Sequence, residues 1–422
     1  MKLLLKNGTV ISPSDNISDK IDLAIIDKKV DLNYKGTDFD EIIDCTDKII
    51  CPGLIDVHVH MRDPGYEYKE DICTVANAAA KGGITTIVGM PNTKPAVDNK
   101  AVVRYILEKG KTTPVTVLTT GSASKDNKNE ILSEIGDMQE AGICAVSDDA
   151  FPIQSSDMMR RVLQYTHNFN LPFMAHSEDK SLTTDASLNE GYISSFLGLR
   201  PWAREAEEFM IFRTALLGNL TGCHVHFQHV TTKGAVEIIR HCKSRGFKMS
   251  AETCPQYFSL TDERCMDYDT NAKCNPPLRT KEDISAIIDG LKDNTIDILA
   301  TDHAPHALFD KEVEFDKAAF GMVGLETALS LCIDILCHKN NIRIEDILRK
   351  FITNPAKLIK SSQDSFASQS HADVTIFDPN KEIIVDKDSF VSKGKNTPFH
   401  GEKLKGNVFM TIAKGNICYT DI

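Results

Sequence analysis

No stretch of this 422-residue chain approaches the roughly 20 consecutive apolar residues that a membrane-spanning helix requires. The opening Met1-Lys2-Leu3-Leu4-Leu5-Lys6-Asn7-Gly8 carries too short an apolar run for a signal peptide. Basic runs are equally scarce. With 48 Lys and Arg against 60 Asp and Glu the formal net charge is -12, which argues against a nucleic-acid partner. An anionic ligand would have to be met by local positive groups, not by the overall field. The 12 cysteines form no Cys-x-x-Cys pair, so reduced thiols in a cytoplasmic setting are expected, not a disulfide framework. Cys144 and Cys223 sit in apolar stretches where a buried thiol serves as a small hydrophobe. Repeats and low-complexity segments are missing too. What remains is an ordinary globular balance, 41% hydrophobic and 26% charged, in a chain long enough for one large domain or two smaller ones.

From about residue 52, short β-rich runs alternate with helical patterns. Candidate strands cover 54–61, 85–90, 115–120, 144–148, 172–176, 224–230, 248–253 and 296–301. Helical stretches follow at 71–81, 99–108, 130–140, 157–167, 205–217, 233–244, 281–291 and 325–336. Eight strand-then-helix units predict an α/β fold of the (β/α)8 TIM-barrel kind over 52–361. The ends read as β, at 3–11, 21–30 and 41–50, and again at 372–377, 382–385 and 408–412 after a helix near 344–359. Neither end can build a core alone, so 1–51 and 362–422 are expected to pack together as one small β domain. The polar stretch 361–370 reads as a loose connection.

Within the first candidate strand stands Asp56-Val57-His58-Val59-His60-Met61-Arg62. Side chains alternate along a strand, so Asp56, His58, His60 and Arg62 are expected on one face and Ile55, Val57, Val59 and Met61 on the other. Two imidazoles suit a divalent metal, and an arginine beside them suits an anion. The bland alternative is a polar strand face turned to water. Other strand ends weigh against it. Asp148-Asp149 closes the fourth, His176 the fifth, His229 the sixth, and Thr301-Asp302-His303-Ala304-Pro305-His306 the eighth. Functional side chains of a barrel gather at its C-terminal mouth. Four histidines with carboxylates suit zinc or another borderline metal, with ligands enough for two ions. His224 and His226 neighbour His229 but fall on the opposite strand parity, so supporting roles are expected for them, as for His303.

These segments resemble the dihydroorotases of the amidohydrolase superfamily, in the type with an aspartate at the bridging metal position. The resemblance runs almost end to end. It rests on Asp56 to Gly65, Gly89-Met90-Pro91-Asn92-Thr93, Asn275-Pro276-Pro277-Leu278-Arg279, Thr301 to His306, Gly324-Leu325-Glu326-Thr327 and Asn396-Thr397-Pro398-Phe399-His400-Gly401. It implies one or two zinc ions, with His58, His60 and Asp302 as ligands of the first, His176 and His229 of a second, and Asp149 bridging them or completing the site. Asp148 is separated from Asp149 by the resemblance alone. The resemblance further implies Arg62, Asn92 and His306 as holders of a substrate carboxylate and Asn275 as a contact of the substrate ring. The bland reading of Asn92 and Asn275 is turn chemistry beside prolines. The reaction implied is the reversible closure of N-carbamoyl-L-aspartate to L-dihydroorotate. In the opening direction a metal-held hydroxide attacks the ring carbonyl, with Asp302 as general base and then acid.

Three departures stand out: Ala150 where the family often has glycine, Cys254-Pro255-Gln256-Tyr257, and Ala318-Ala319-Phe320-Gly321 without a proline before the phenylalanine. The second is more like hydantoinases, dihydropyrimidinases and allantoinases, which are the runner-up. Those relatives carry a carboxylated lysine at the bridge, absent from Ala145 to Ala150. A catalytically silent scaffold for aspartate transcarbamoylase is the third reading. A homodimer is the default assembly, and association of an active enzyme with a transcarbamoylase stays open. The segment 309–320, mixing charge and aromatics just after His306, is expected to be a mobile lid.

Overall fold

The computed structural model describes residues 2–421. Eight parallel strands form a closed barrel: Leu54–Val59, Ile84–Gly89, Thr116–Thr119 (its pairing continued by Gly121–Ser122), Val146–Ser147, Phe173–Ala175, Val225–Phe227, Met249–Thr253 and Ile298–Leu299. Closure comes from the eighth strand's extension, where Val59 bridges His303 and His60 N donates to His303 O at 2.9 Å. The result is a (β/α)8 barrel.

Local sequence sets where the surrounding helices begin. Asp71 caps Ile72–Lys81 by accepting from Cys73 N and Thr74 N, and Thr74 returns the bond in a capping box. Asn99, Ser155 and Thr232 cap Lys100–Gly110, Ser156–Asn168 and Lys233–Ser244 with a side-chain oxygen that accepts from first-turn N–H groups. The helix Glu205–Thr221 places three glutamates in its first turn, where the positive end of the helix dipole favours them. The last barrel helix starts at Ala328–Leu331 and runs on as a π-helical turn, Cys332–Lys339. Inside the barrel Ile55, Val57, Val88, Met90, Met174 and Ala300 pack together. The helix Thr353–Ile359 adds Ala356 and Leu358 to them. Each fully buried aliphatic side chain there contributes roughly 1.5–3 kcal/mol.

The two ends of the chain share sheets. Val374–Ile384 pairs antiparallel with Ile49–Pro52, in a six-stranded sheet that also holds Lys403–Ala413, Asn416–Thr420, Thr9–Ser12 and Ile17–Lys20. A four-stranded sheet holds Lys2–Lys6, Leu23–Ile26, Lys29–Asp31 and Glu41–Asp44. Their core joins Leu3, Leu5 and Ile25 to Val374, Ile376 and Met410. The expected single run 3–11 is broken in two by Asn7, at φ 65°, and Gly8, so its halves enter different sheets. The stretch 361–370 is pinned where a loose connection was expected. Phe366 is 2% exposed in the small core, and Asp15 accepts from Ser365 Oγ at 2.5 Å and Phe366 N at 2.8 Å.

Candidate metal centre and anion clamp

The first barrel strand does not alternate as expected. A register shift against the second strand lies between Asp56 and Val59. Ile55 and Val57 join the barrel interior, whereas Leu54, Val59 and Met61 pack outward among Ile72 and Val75. Asp56 leaves the histidine face: its carboxylate accepts from Thr301 N at 3.2 Å and Thr301 Oγ1 at 2.5 Å, tying first strand to eighth. The parity argument for His226 and His229 fails for a similar reason. The sixth strand ends at Phe227, and His229 at φ 35° turns its ring back inside. Arg62 (φ 62°) and Asp302 (φ 49°) share this left-handed backbone. Non-glycine residues there cost about 1–3 kcal/mol each and concentrate at functional sites.

Six predicted residues converge. The ligand atoms of His58, His60 and Asp302 lie within 4.8 Å of one another, as do those of His58, Asp149 and His229. His60 Nε2 is 3.0 Å from Asp302 Oδ1, and His58 Nε2 is 3.5 Å from the same oxygen and 3.7 Å from Asp149 Oδ1. His176 Nδ1 is 3.1 Å from Asp149 Oδ1 and 2.9 Å from His229 Nε2. Among the described residues His58 Nε2 and Asp149 Oδ2 are buried with no hydrogen-bond partner, a costly state for polar atoms unless an ion completes them. Burial disfavours charge on His58, yet Glu252, Asp302 and Asp149 outweigh it and raise its pKa well above the ordinary value. Burial likewise opposes charge on His176, but Asp149 and Glu178 raise it to about 9. Asp149 is held ionised against burial by the surrounding imidazoles. The donor set is therefore nitrogen and carboxylate oxygen, dry and electrostatically primed, and it fits a divalent ion of the zinc type.

Behind these residues stands a layer that the sequence reading largely missed. Glu252, on the seventh strand, accepts from His58 Nδ1 at 2.5 Å and His226 Nε2 at 2.9 Å. Glu178 meets His176 Nε2 at 3.1 Å and Lys180 Nζ at 2.7 Å. Each has a signal in hindsight. Glu252 stands at the end of the only candidate strand after the third to which no site residue had been assigned, and Glu178 follows His176 by two positions. Asn92 accepts from His60 Nδ1 at 3.1 Å, so its amide oxygen orients that imidazole. His303 accepts at Nδ1 from Gly324 N, 3.1 Å away.

The anion-binding candidates stand alongside. Arg62 donates through Nε to Pro305 O at 3.2 Å and has no carboxylate within ion-pair distance among the described residues. Burial lowers its pKa to about 10, so it stays cationic. His306 spends Nε2–H on Phe320 O at 2.8 Å, while Lys69 Nζ approaches Nδ1 at 3.3 Å. Burial and the cations Arg62, Lys311 and Lys69 hold it neutral. Asn275 reaches Glu178 Oε2 through Nδ2 at 3.4 Å, and its Oδ1 is buried without a partner.

A closed (β/α)8 barrel with imidazoles and carboxylates gathered at the C-terminal ends of its strands defines the class of amidohydrolases. Solved structures of that class superpose on it. L-Hydantoinase (dihydropyrimidinase) from Arthrobacter aurescens is 26% identical with a TM-score of 0.86, covering 98% of this chain and 95% of its own. Dihydropyrimidinase from Brevibacillus agri NCHU1002 is similar in fold, at TM-score 0.85 and 22% identity over 100% of this chain and 95% of its own. A family profile described as Dihydro-orotase-like matches residues 47–235. Curated dihydroorotases are much nearer in sequence. That of Acetivibrio thermocellus is 46% identical over 98% of this chain and 98% of its own length. That of Thermoanaerobacter sp. is 46% identical over 99% and 97%. The chain belongs to the dihydroorotase family.

Proposed function

We propose that the protein is a dihydroorotase, closing N-carbamoyl-L-aspartate reversibly to L-dihydroorotate and water in pyrimidine synthesis. The observation that carries this is Arg62, a cation without a carboxylate partner beside the imidazole and carboxylate cluster. A neutral ring such as hydantoin or dihydrouracil offers that guanidinium only single carbonyl oxygens, whereas a ring carboxylate can take its two parallel donors and its charge. In this reading His58, His60 and Asp302 would hold one zinc ion and His176 and His229 a second, with Asp149 completing the site. When bound, the metal activates water and polarises the amide carbonyl.

The chain's own residues do the rest. In ring opening Asp302 takes a proton from the attacking water and delivers it to the departing ring nitrogen. In closure it takes the proton of the carbamoyl nitrogen and returns it to the leaving hydroxyl. His60 stands 3.0 Å from Asp302 Oδ1 and keeps that carboxylate turned inward. Arg62 fixes the substrate's orientation, Asn275 faces the ring, and His306 gains a donor for the carboxylate once Phe320 O releases its Nε2–H. A homodimer in the cytoplasm is the assembly and setting this reading carries; co-purification tests any association with aspartate transcarbamoylase. Incubation with N-carbamoyl-L-aspartate and zinc should yield L-dihydroorotate. No closure, together with opening of hydantoin, would move the protein to the hydantoinase reading.

A further inference from the structure

One hydrogen-bond path runs from the candidate metal centre through the barrel to its opposite mouth. His58 Nδ1 meets Glu252 Oε1 at 2.5 Å, and Glu252 Oε2 meets His226 Nε2 at 2.9 Å. His226 Nδ1 meets Ser250 Oγ at 2.8 Å, and Ser250 Oγ meets His224 Nε2 at 2.9 Å. His58, His226 and Glu252 are fully buried, and Ser250 is 9% exposed. His224 lines a cavity of about 230 Å³ with Asp297, Asn354 and Lys357, away from the centre.

Donor chemistry orders the links. A carboxylate accepts at both oxygens, and Glu252 sets one of its oxygens against each imidazole. Both imidazole nitrogens that face Glu252 must therefore carry protons. A His226 carrying one proton, on Nε2, presents a lone pair at Nδ1, to which the Ser250 hydroxyl 2.8 Å away donates. Ser250 Oγ then has only lone pairs left for His224, which must donate through Nε2. Burial holds His224 neutral, at about 4, so its Nδ1 is bare. Gln228 Nε2 also lies 3.2 Å from His58 Nδ1, but it donates to Met90 Sδ at 3.1 Å.

We propose that His224, Ser250 and His226 are positioning residues that act through Glu252, forming a one-way ladder that keeps the His58 proton on Nδ1 and turns Nε2 to the metal. The inference rests on the reading of His58 as a ligand, but its first test does not. Without the ladder, Glu252 can rotate away from His58, and the imidazole loses the partner that fixes its plane. Partners of this kind typically change metal affinity or activity by about 10–100-fold.

The test is nitrogen NMR of histidine-labelled protein, combined with zinc affinity by chelator competition. In the wild-type protein His226 should show a protonated Nε2 and a bare Nδ1, whether or not zinc is bound. Ser250→Ala should mix the two His226 tautomers and weaken zinc binding about 10-fold, with kcat falling and KM unchanged; Ser250→Thr should restore all three. His226 protonated at Nδ1 in the wild type overturns the ladder without recourse to any variant. Ser250→Ala with an unchanged tautomer and unchanged zinc affinity overturns it as well, and loss of thermal stability alone would mark a merely structural serine. If zinc does not bind wild-type protein at all, the ligand reading fails, while the His226 tautomer still reports on the ladder.

Discussion

Asp302 lies within 3.0–3.5 Å of two imidazoles and sits on a left-handed backbone that aims its carboxylate into the barrel. If it moves the proton, Asp302→Asn should lower kcat by about 10²–10⁴-fold, with a far smaller change in KM, as read from initial rates of L-dihydroorotate opening. An equal loss confined to KM would assign it to binding. His176 gives a pH prediction. Without metal it is held protonated up to about 9 between Asp149 and Glu178, and a metal ligand must give up that proton. Zinc affinity should therefore rise with pH between 6 and 9, with protons released on binding. Calorimetry in two buffers of different ionisation enthalpy reads this directly, and an affinity flat over that range contradicts it.

The segment 309–320 shows how an element can be both exposed and anchored. Leu308 and Phe309 are 69% and 65% exposed, yet Phe315 is 4% exposed. Lys311 Nζ donates to Thr270 O at 2.9 Å and Ala319 O at 2.6 Å, and Lys273 Nζ donates to Phe315 O at 2.8 Å. Two buried amines thus staple the segment, and Phe320 O at its end holds His306. Limited proteolysis should cut within 309–314, more slowly with substrate bound and faster in Lys311→Met, which should also raise KM. Cutting indifferent to ligand would sink the idea of a lid.

The sequence made the element order readable, because β-rich runs and helical patterns alternate eight times, and it made the six clustered residues readable through their places at strand ends. It could not show that Asp56 leaves the histidine face, since strict alternation ignores a register shift that depends on the neighbouring strand. It also concealed Glu252 and Glu178, whose partners are 194 and 2 positions away and which look like ordinary acids until the barrel closes.

One face of the helix Glu205–Thr221 remains uncovered: Phe209, Phe212, Leu216 and Leu220 are 59%, 45%, 46% and 64% exposed. Their spacing puts them on one stripe, and contiguous exposed apolar surface marks an interaction site. A second copy is the occupant consistent with the homodimer reading. Phe212→Asp combined with Leu216→Asp should elute as a monomer by light scattering and keep its turnover, since the stripe lies outside the barrel. An unchanged mass would rule out a second copy as the occupant of this stripe.

The most direct measurement compares ring opening of L-dihydroorotate with that of dihydrouracil, which lacks the carboxylate, by purified protein with and without added zinc. Zinc-dependent turnover of dihydroorotate alone is the expected result, joining the cluster and the Arg62 clamp in one activity. Turnover of dihydrouracil instead would contradict the substrate assignment, and no turnover of either with zinc bound would point to a silent scaffold.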